Sequence, residues 1–193
     1  MFGIRDYDPT FYNTVEDFIL NNHSKLKNLI GKKIKESFVI WELNDNEWHS
    51  DGVVVITLED CNIEICNKNL NELSVTLDEI DLSIDLESYD CEEYGKIDFE
   101  WRKDNLEQLN RIKGRTIEEI EIINYRFKSA TIYNKSVLDK VNEHHVDYLL
   151  NGIGFKLDEG YVSVFNNLDT NGISNDRETK SCQYLKVASL QKM

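Results

Sequence analysis

Residues 26–36 read LKNLIGKKIKE, and residues 109–119 read LNRIKGRTIEE. In both stretches a glycine follows spaced Leu and Ile residues and precedes a basic residue, an Ile and a Glu. The Leu and Ile spacing is typical of the last turns of a helix, and glycine is favoured just after a helix ends. Each stretch therefore predicts a helix that stops at Gly31 or Gly114 and is followed by a strand.

A second pair of similar stretches lies further along the chain. Residues 58–67 read LEDCNIEICN, and residues 157–166 read LDEGYVSVFN. In both, a short turn precedes apolar residues that alternate with other residues, as expected of a β-hairpin. Gly160 stands where such a turn favours a left-handed backbone. Because the same patterns occur in the same order in both halves, the sequence indicates an internal duplication.

We predict from this an α+β fold with two tandem similar units. Each unit would be one helix packed on an antiparallel β-meander, and the two units could pack as a pseudo-twofold pair. The first unit would span residues 1–100, and the second would span residues 101–193 with an inserted segment near 126–147. In the first unit, residues 53–58 predict a strand buried on both faces, and residues 75–86 predict a half-buried strand with acids outside.

The formal net charge of the 193-residue chain is -14 and is concentrated in the middle third. Residues 36–100 hold 19 acidic residues against Lys68 and Lys96, whereas the flanking segments are almost neutral. Such a surface repels phosphate backbones, so we expect no nucleic-acid ligand. It attracts basic proteins, mainly by speeding their encounter. An acidic surface that only keeps the protein soluble is the simpler alternative.

The densest acidic stretch also carries aromatic residues, and Tyr and Trp are frequent anchors in protein interfaces. We therefore predict that this stretch binds a basic protein partner. The predicted partner-binding residues are Asp81, Asp85, Glu87, Tyr89, Asp90, Glu92, Glu93 and Tyr94. The neighbouring Phe99 and Trp101 share strand parity and fit core packing equally well.

The sequence lacks the nucleophile elbow, the phosphate-binding loop, the dinucleotide glycine pattern and the zinc-protease helix. Gly152 and Gly154 precede a predicted strand, which is typical of a bulge or turn and not of a phosphate cradle. His144, His145 and Asp147 lack further ligands at zinc-site spacing. We therefore expect no metal, no cofactor and, on balance, no catalysis.

Composition places the chain in a broad class. No stretch approaches the roughly 18 apolar residues of a membrane helix, so we expect no membrane partner. The N-terminus lacks a secretory pattern, and four cysteines in a chain of this length suit a reducing compartment. Scarce Ala and Pro beside abundant Asn, Ile and Lys are typical of AT-rich coding sequences. We expect a soluble, cytoplasmic, bacterial protein.

In size and acidic composition the chain resembles the small bacterial immunity proteins that neutralise a toxin. That resemblance implies a non-catalytic protein that occludes a basic partner. The alternative is a small-molecule-binding or hydrolytic domain with its site in the cleft between the two units, where residues 126–147 could act as a lid. A third alternative is a structural role in assembly. The sequence leaves the oligomeric state open.

Overall fold

The computed structural model describes residues 3–91, 95–130 and 144–190. Strands hold 48% of the described residues and helices hold 12%. In chain order the described elements are α1 (Val15–Lys27), β1 (Ile34–Glu42), β2 (Glu47–Trp48), β3 (Val54–Leu58), β4 (Asn62–Lys68), β5 (Glu72–Leu77), β6 (Tyr89–Cys91), β7 (Gly95–Ile97), β8 (Phe99–Lys103), α2 (Glu107–Asn110), β9 (Ile117–Ala130), β10 (His144–Leu157), β11 (Tyr161–Asn166), β12 (Asn171–Ser174) and β13 (Cys182–Lys186), with a 3-10 turn at Val187–Ser189.

The strands form two large antiparallel sheets and one small ribbon. The first sheet has the order β2-β1-β3-β4-β5. A sixth strand, β8, also pairs with β1, along residues 38–42. The second sheet has the order β12-β11-β10-β9-β13, and β6 pairs with β7 in the ribbon. Because β8 starts at Phe99 and joins the first sheet, this strand crosses the boundary that we predicted at residue 100.

The predicted α+β fold of two helix-on-meander units is wrong, because the protein is mostly β. In the second half the predicted helix shrinks to the single turn α2. The residues that would extend it upstream form β8 instead, which leaves only residues 104–116 before β9. Leu109 and Ile112 are nevertheless as buried as their counterparts Leu26 and Leu29. The repeated pattern therefore preserves core positions and not helix length.

The two matched stretches meet in the structure and exchange backbone hydrogen bonds. The amide of Gly31 donates to the carbonyl of Ile117 at 2.8 Å, and the amide of Gly114 donates to the carbonyl of Ile34 at 2.8 Å. The amides of Ile34 and Ile117 donate back to the opposite stretch at 2.8 and 2.9 Å. These reciprocal bonds join the start of the first sheet to the start of the second.

Gly31 and Gly114 hold this junction in a left-handed backbone, with φ of 90° and 81°. A Cβ at Gly31 would meet no atom within 4 Å, so alanine there is strained only by its backbone. We expect Gly31→Ala to lower the free energy of unfolding by about 1 kcal/mol. Gly31→Asn should cost less, since Asn tolerates this conformation better. Urea unfolding curves check both values, and equal losses for Ala and Asn would contradict the backbone explanation.

The inner faces of the two sheets pack on each other in one core that also takes in α1. Val54 and Ile56 of the first sheet, Phe155 and Val164 of the second, and Phe18 of α1 are each fully buried in it. Thr14 caps the N-terminus of α1, where its hydroxyl accepts a hydrogen bond from the amide of Asp17. Because this core draws on both halves of the chain, the space between the sheets is filled by side chains.

A second, smaller core lies on the outer face of the first sheet. It contains Ile40 and Val55 from the sheet, Ile4 and Tyr7 from the N-terminal segment, and Ile80 from the segment after β5. The predicted β3 run is therefore buried on both faces, and this prediction is confirmed. The chain segments that cover the outer face are irregular in structure.

The predicted strand over residues 75–86 is wrong beyond Leu77, where β5 ends. Asp78 has a left-handed backbone with φ of 56°, and its carboxylate accepts a hydrogen bond from the amide of Asn62. The chain thus turns out of the sheet plane and crosses the outer face. None of the helices that the structure describes is long and apolar enough to cross a membrane.

Candidate functional site

Residues 78–90 form an acidic segment that the outer core holds in place. Ile80 is buried, and Leu82 and Leu86 pack against the same small core. Six acids and no basic residue occur in the segment. Ile84 and the acids are exposed, so the alternation predicted for a strand persists only in part in this irregular chain. This anchoring fixes where the negative charges lie.

The structure exposes every predicted site residue that it describes. Asp81, Asp85, Glu87, Tyr89 and Asp90 are all exposed. Tyr89 has 60% of its surface accessible, which is unusual for so large an aromatic side chain. Glu92, Glu93 and Tyr94 lie outside the described residues.

Part of the acidic segment surrounds a hollow of about 200 Å³. Asp81 and Asp85 line it together with Glu79 and with Asp6 and Arg5 from the N-terminal segment. Four carboxylates thus face one guanidinium. Arg5 forms an ion pair with Glu87 at 3.3 Å, in which both side chains are more than half exposed. Such an exposed pair contributes little stability, so Arg5 can be displaced by another cation.

The Asp81 carboxylate is held in its ionised form by the chain itself. It accepts hydrogen bonds from the amide of Ser83 at 2.9 Å and from the Ser83 hydroxyl at 2.6 Å. These bonds keep the pKa of Asp81 below its usual value. The negative charge on this side of the hollow is therefore present at any physiological pH.

Tyr89 and Asp90 end the acidic segment and belong to β6 of the ribbon. Asp90 is paired across the ribbon with Lys96, whose ammonium group contacts Asp98 at 2.6 Å. The hydroxyl of Ser88 also donates to Asp98, at 2.6 Å. Lys96 therefore offsets only part of the negative charge of the ribbon.

Elsewhere in residues 36–100, the acidic middle third of the chain, several carboxylates pair with basic residues from the flanking parts of the chain. Lys32 contacts Asp60 at 2.8 Å, and Lys103 forms an ion pair with Glu36. Arg102 contacts Glu100 at 2.6 Å. The negative surface predicted for the whole middle third is thus reduced, and the acidic segment is one of the places where exposed carboxylates outnumber bases.

Sequence reasoning missed a buried carboxyl beneath the acidic segment. Glu64 of β4 is fully buried and accepts hydrogen bonds from the Thr76 hydroxyl at 2.8 Å and from the amide of Glu79 at 3.2 Å. The Thr76 hydroxyl is also bonded to that of Tyr7 at 3.1 Å. Burial raises the pKa of Glu64 to about 7. An acid between two β-branched residues was the available signal, but the pattern placed it on a solvent face.

The aromatic residues after the ribbon belong to the fold. Phe99 and Trp101 are partly buried and pack against the outer core, which confirms core packing for them. Among the residues described, no three metal-binding side chains converge on one point. Gly152 and Gly154 lie inside β10 and not before a strand as predicted. Of the predicted bulge or turn, the bulge is found at Gly152, because the register of β9 and β10 shifts between Leu150 and Gly152.

The predicted cleft between two units does not match the packing, since core side chains fill the space between the sheets. A cavity of about 590 Å³ opens instead on the outer face of the second sheet. Of the segment near residues 126–147, the described parts extend β9 and β10, and residues 131–143 lie outside the description.

No family model, curated protein or solved structure matches the chain.

Proposed function

We propose that the protein is a non-catalytic binding module that engages a basic protein partner through the acidic segment. One observation carries this proposal: the acids of the segment are exposed on a chain that apolar side chains anchor to the outer core. Charges fixed in this way need no ordering when a partner arrives, which favours binding. Clustered exposed carboxylates also accelerate the approach of a positively charged partner.

The hollow beside Arg5 suggests how the contact is made. It offers room for one long side chain of the partner, and a lysine or arginine there would meet Asp81 and Asp85 in place of Arg5. Tyr89 supports the contact as an exposed aromatic anchor next to the acids. A partner held in this way would have its own basic surface covered.

The partner class that fits this mechanism best is a protein whose basic surface binds nucleic acid, as in a nuclease-type toxin. Covering that surface would neutralise it, which is the role of an immunity protein. Cys61, Cys66 and Cys182 are free thiols, which fits the cytoplasm as the compartment where neutralisation would occur. The same charge argues against nucleic acid as a direct ligand.

Affinity capture with matched charge variants tests the proposal. The test variant combines Asp81→Asn, Asp85→Asn, Glu87→Gln and Asp90→Asn. The control combines Asp45→Asn, Glu47→Gln, Asp51→Asn and Glu59→Gln, which removes four exposed charges from other places in the same acidic third. All eight changes lie at exposed positions, so both variants should fold.

We expect the wild-type protein and the control to retain the same basic protein from extracts of the source cell at about 50 mM salt. The test variant should lose at least about 90% of it, because charges at an interface rim set the encounter rate. Quantitative mass spectrometry of the retained proteins gives the result. Equal retention by both variants, or no basic protein retained by the wild type, would overturn the proposal.

A further inference from the structure

The cavity on the outer face of the second sheet is a separate site from the acidic segment. Its floor comes from β9, β10, β11 and β13, where Ile123, Leu149, Phe165 and Tyr184 lie on one face of the sheet. Leu70, from the turn between β4 and β5, stands at its edge. The volume of about 590 Å³ falls within the range of sites for small organic ligands.

Glycine shapes the floor of this cavity. A Cβ on Gly172 would lie 2.6 Å from the ring of Phe165, so only glycine lets that ring lie flat on the sheet. In the next row, a Cβ on Gly154 would lie 1.9 Å from the hydroxyl oxygen of Tyr161. The ring of Phe165 therefore covers backbone that has no side chain of its own, and the floor is aromatic there.

One wall is the strap of residues 175–181, which connects β12 to β13 across this face. Arg177 fixes the strap, because its guanidinium contacts the buried carboxylate of Glu121 at 2.9 Å. The same guanidinium lies 4.3 Å from the ring centroid of Tyr184. Asn175 donates to the carbonyl of Tyr161 at 3.0 Å. These contacts hold the wall in place without a ligand.

The lining combines aromatic rings with negative charge. Tyr125 and Phe127 add two half-exposed rings to those of Phe165 and Tyr184. Asp176 and Glu178 are the charged members of the described lining, and none of its described members is basic. The positive charge of Arg177 faces Glu121 and is neutralised there.

The two acids differ in what they already bind. The Glu178 carboxylate accepts hydrogen bonds from the amides of Lys180 and Ser181 at 2.7 and 2.9 Å. These bonds keep the pKa of Glu178 below its usual value, so it stays ionised. The Asp176 carboxylate makes no hydrogen bond or ion pair within the described part of the chain. Asp176 is thus available to a ligand.

We propose that this cavity binds a small organic ammonium ion, namely a molecule with an apolar or aromatic body and one positively charged amine. The body would rest on the rings of the floor, and the ammonium group would face Asp176 and Glu178 at the strap. Aromatic faces attract cations, and a carboxylate beside them adds a second attraction. The proposal is independent of the function proposed for the acidic segment, which lies on the other sheet.

Binding to the full chain of three benzyl probes that differ in charge tests this inference. The probes are benzyltrimethylammonium, its neutral carbon analogue neopentylbenzene and the anion phenylacetate, each titrated against the protein by NMR. The variants are Asp176→Asn, the double variant Tyr125→Ala with Phe127→Ala, and the control Asp45→Asn, which removes an equal charge from the exposed turn between β1 and β2. Thermal unfolding of each variant confirms that it is folded.

We expect benzyltrimethylammonium to saturate the wild type and to bind at least about 10-fold more tightly than either other probe. Asp176→Asn should weaken it about 5-fold and the double aromatic variant about 10-fold, while Asp45→Asn leaves it unchanged. Shifted resonances should come from Ile123, Leu149 and Tyr184. Overturning results would be no saturation by about 10 mM, equal affinity for the three probes, or equal losses in Asp176→Asn and Asp45→Asn.

Discussion

Asn171→Ala is expected to lower the free energy of unfolding by about 3 to 4 kcal/mol, because it removes a buried hydrogen-bond centre. The Asn171 side chain is 1% exposed and connects the two sheets. Its Oδ1 accepts from the amide and from the side-chain Nδ2 of Asn67, both at 3.0 Å. Its Nδ2 donates to the carbonyls of Ser50 and Gly52 at 3.1 and 2.6 Å.

Alanine at this position would leave those partner groups buried and unsatisfied. Asn171→Asp should be at least as harmful, since a carboxylate oxygen would then face the carbonyls of Ser50 and Gly52. The matched control is Asn167→Ala on the same hairpin, whose side chain is exposed, and it should change stability by less than about 0.5 kcal/mol. Urea unfolding at pH 7 measures all three variants, and a loss at Asn171 no larger than at Asn167 would contradict this role.

Glu64→Gln is expected to raise the free energy of unfolding above pH 7 by about 2 to 3 kcal/mol. The pKa of Glu64 is about 7 in the folded protein and near its ordinary 4.5 in the unfolded chain. Between these values the folded state holds a proton that the unfolded state has lost. The stability linked to that proton is complete below pH 4.5 and is lost as the pH rises through about 7.

Glutamine keeps the shape of the protonated acid, so the variant should not show this loss. Unfolding curves of wild type and Glu64→Gln should converge near pH 4.5 and diverge up to about pH 8. Glu47→Gln, on exposed β2, is the control and should follow the wild type throughout. If wild type and Glu64→Gln differ by the same amount at pH 5 and pH 8, the raised pKa is refuted.

Local patterns in the sequence predict individual turns of this fold, but not its class. The hairpin turns at residues 59–61 and 158–160 are confirmed, and so is the left-handed backbone of Gly160, with φ of 93°. These features depend on a few adjacent residues, which a sequence displays directly. The length of α2 could not be predicted in the same way, because it depends on β8 pairing with β1, more than 50 residues away along the chain.

In the candidate site too, features set by adjacent residues could be predicted, and features set by distant contacts could not. Alternation along residues 80–87 correctly predicts which acids face solvent, although the chain there is not a strand. The burial of Glu64 was not predictable, because β4 alternates like a strand with one solvent face. The N-terminal segment and the segment after β5 cover that face. Their path depends on contacts between residues far apart in the chain, such as Tyr7 with Thr76. The cavity on the second sheet was not predictable either, because one of its walls depends on the contact between Arg177 and Glu121.

The most direct test of the acidic segment as a binding surface is the affinity of the captured basic partner, measured by calorimetry at about 50 and 300 mM salt. We expect the fourfold variant at Asp81, Asp85, Glu87 and Asp90 to bind at least about 10-fold more weakly than wild type at low salt. This gap should narrow at high salt, and the control at Asp45, Glu47, Asp51 and Glu59 should match the wild type. Equal weakening in both variants would show that net charge alone, and not this segment, attracts the partner.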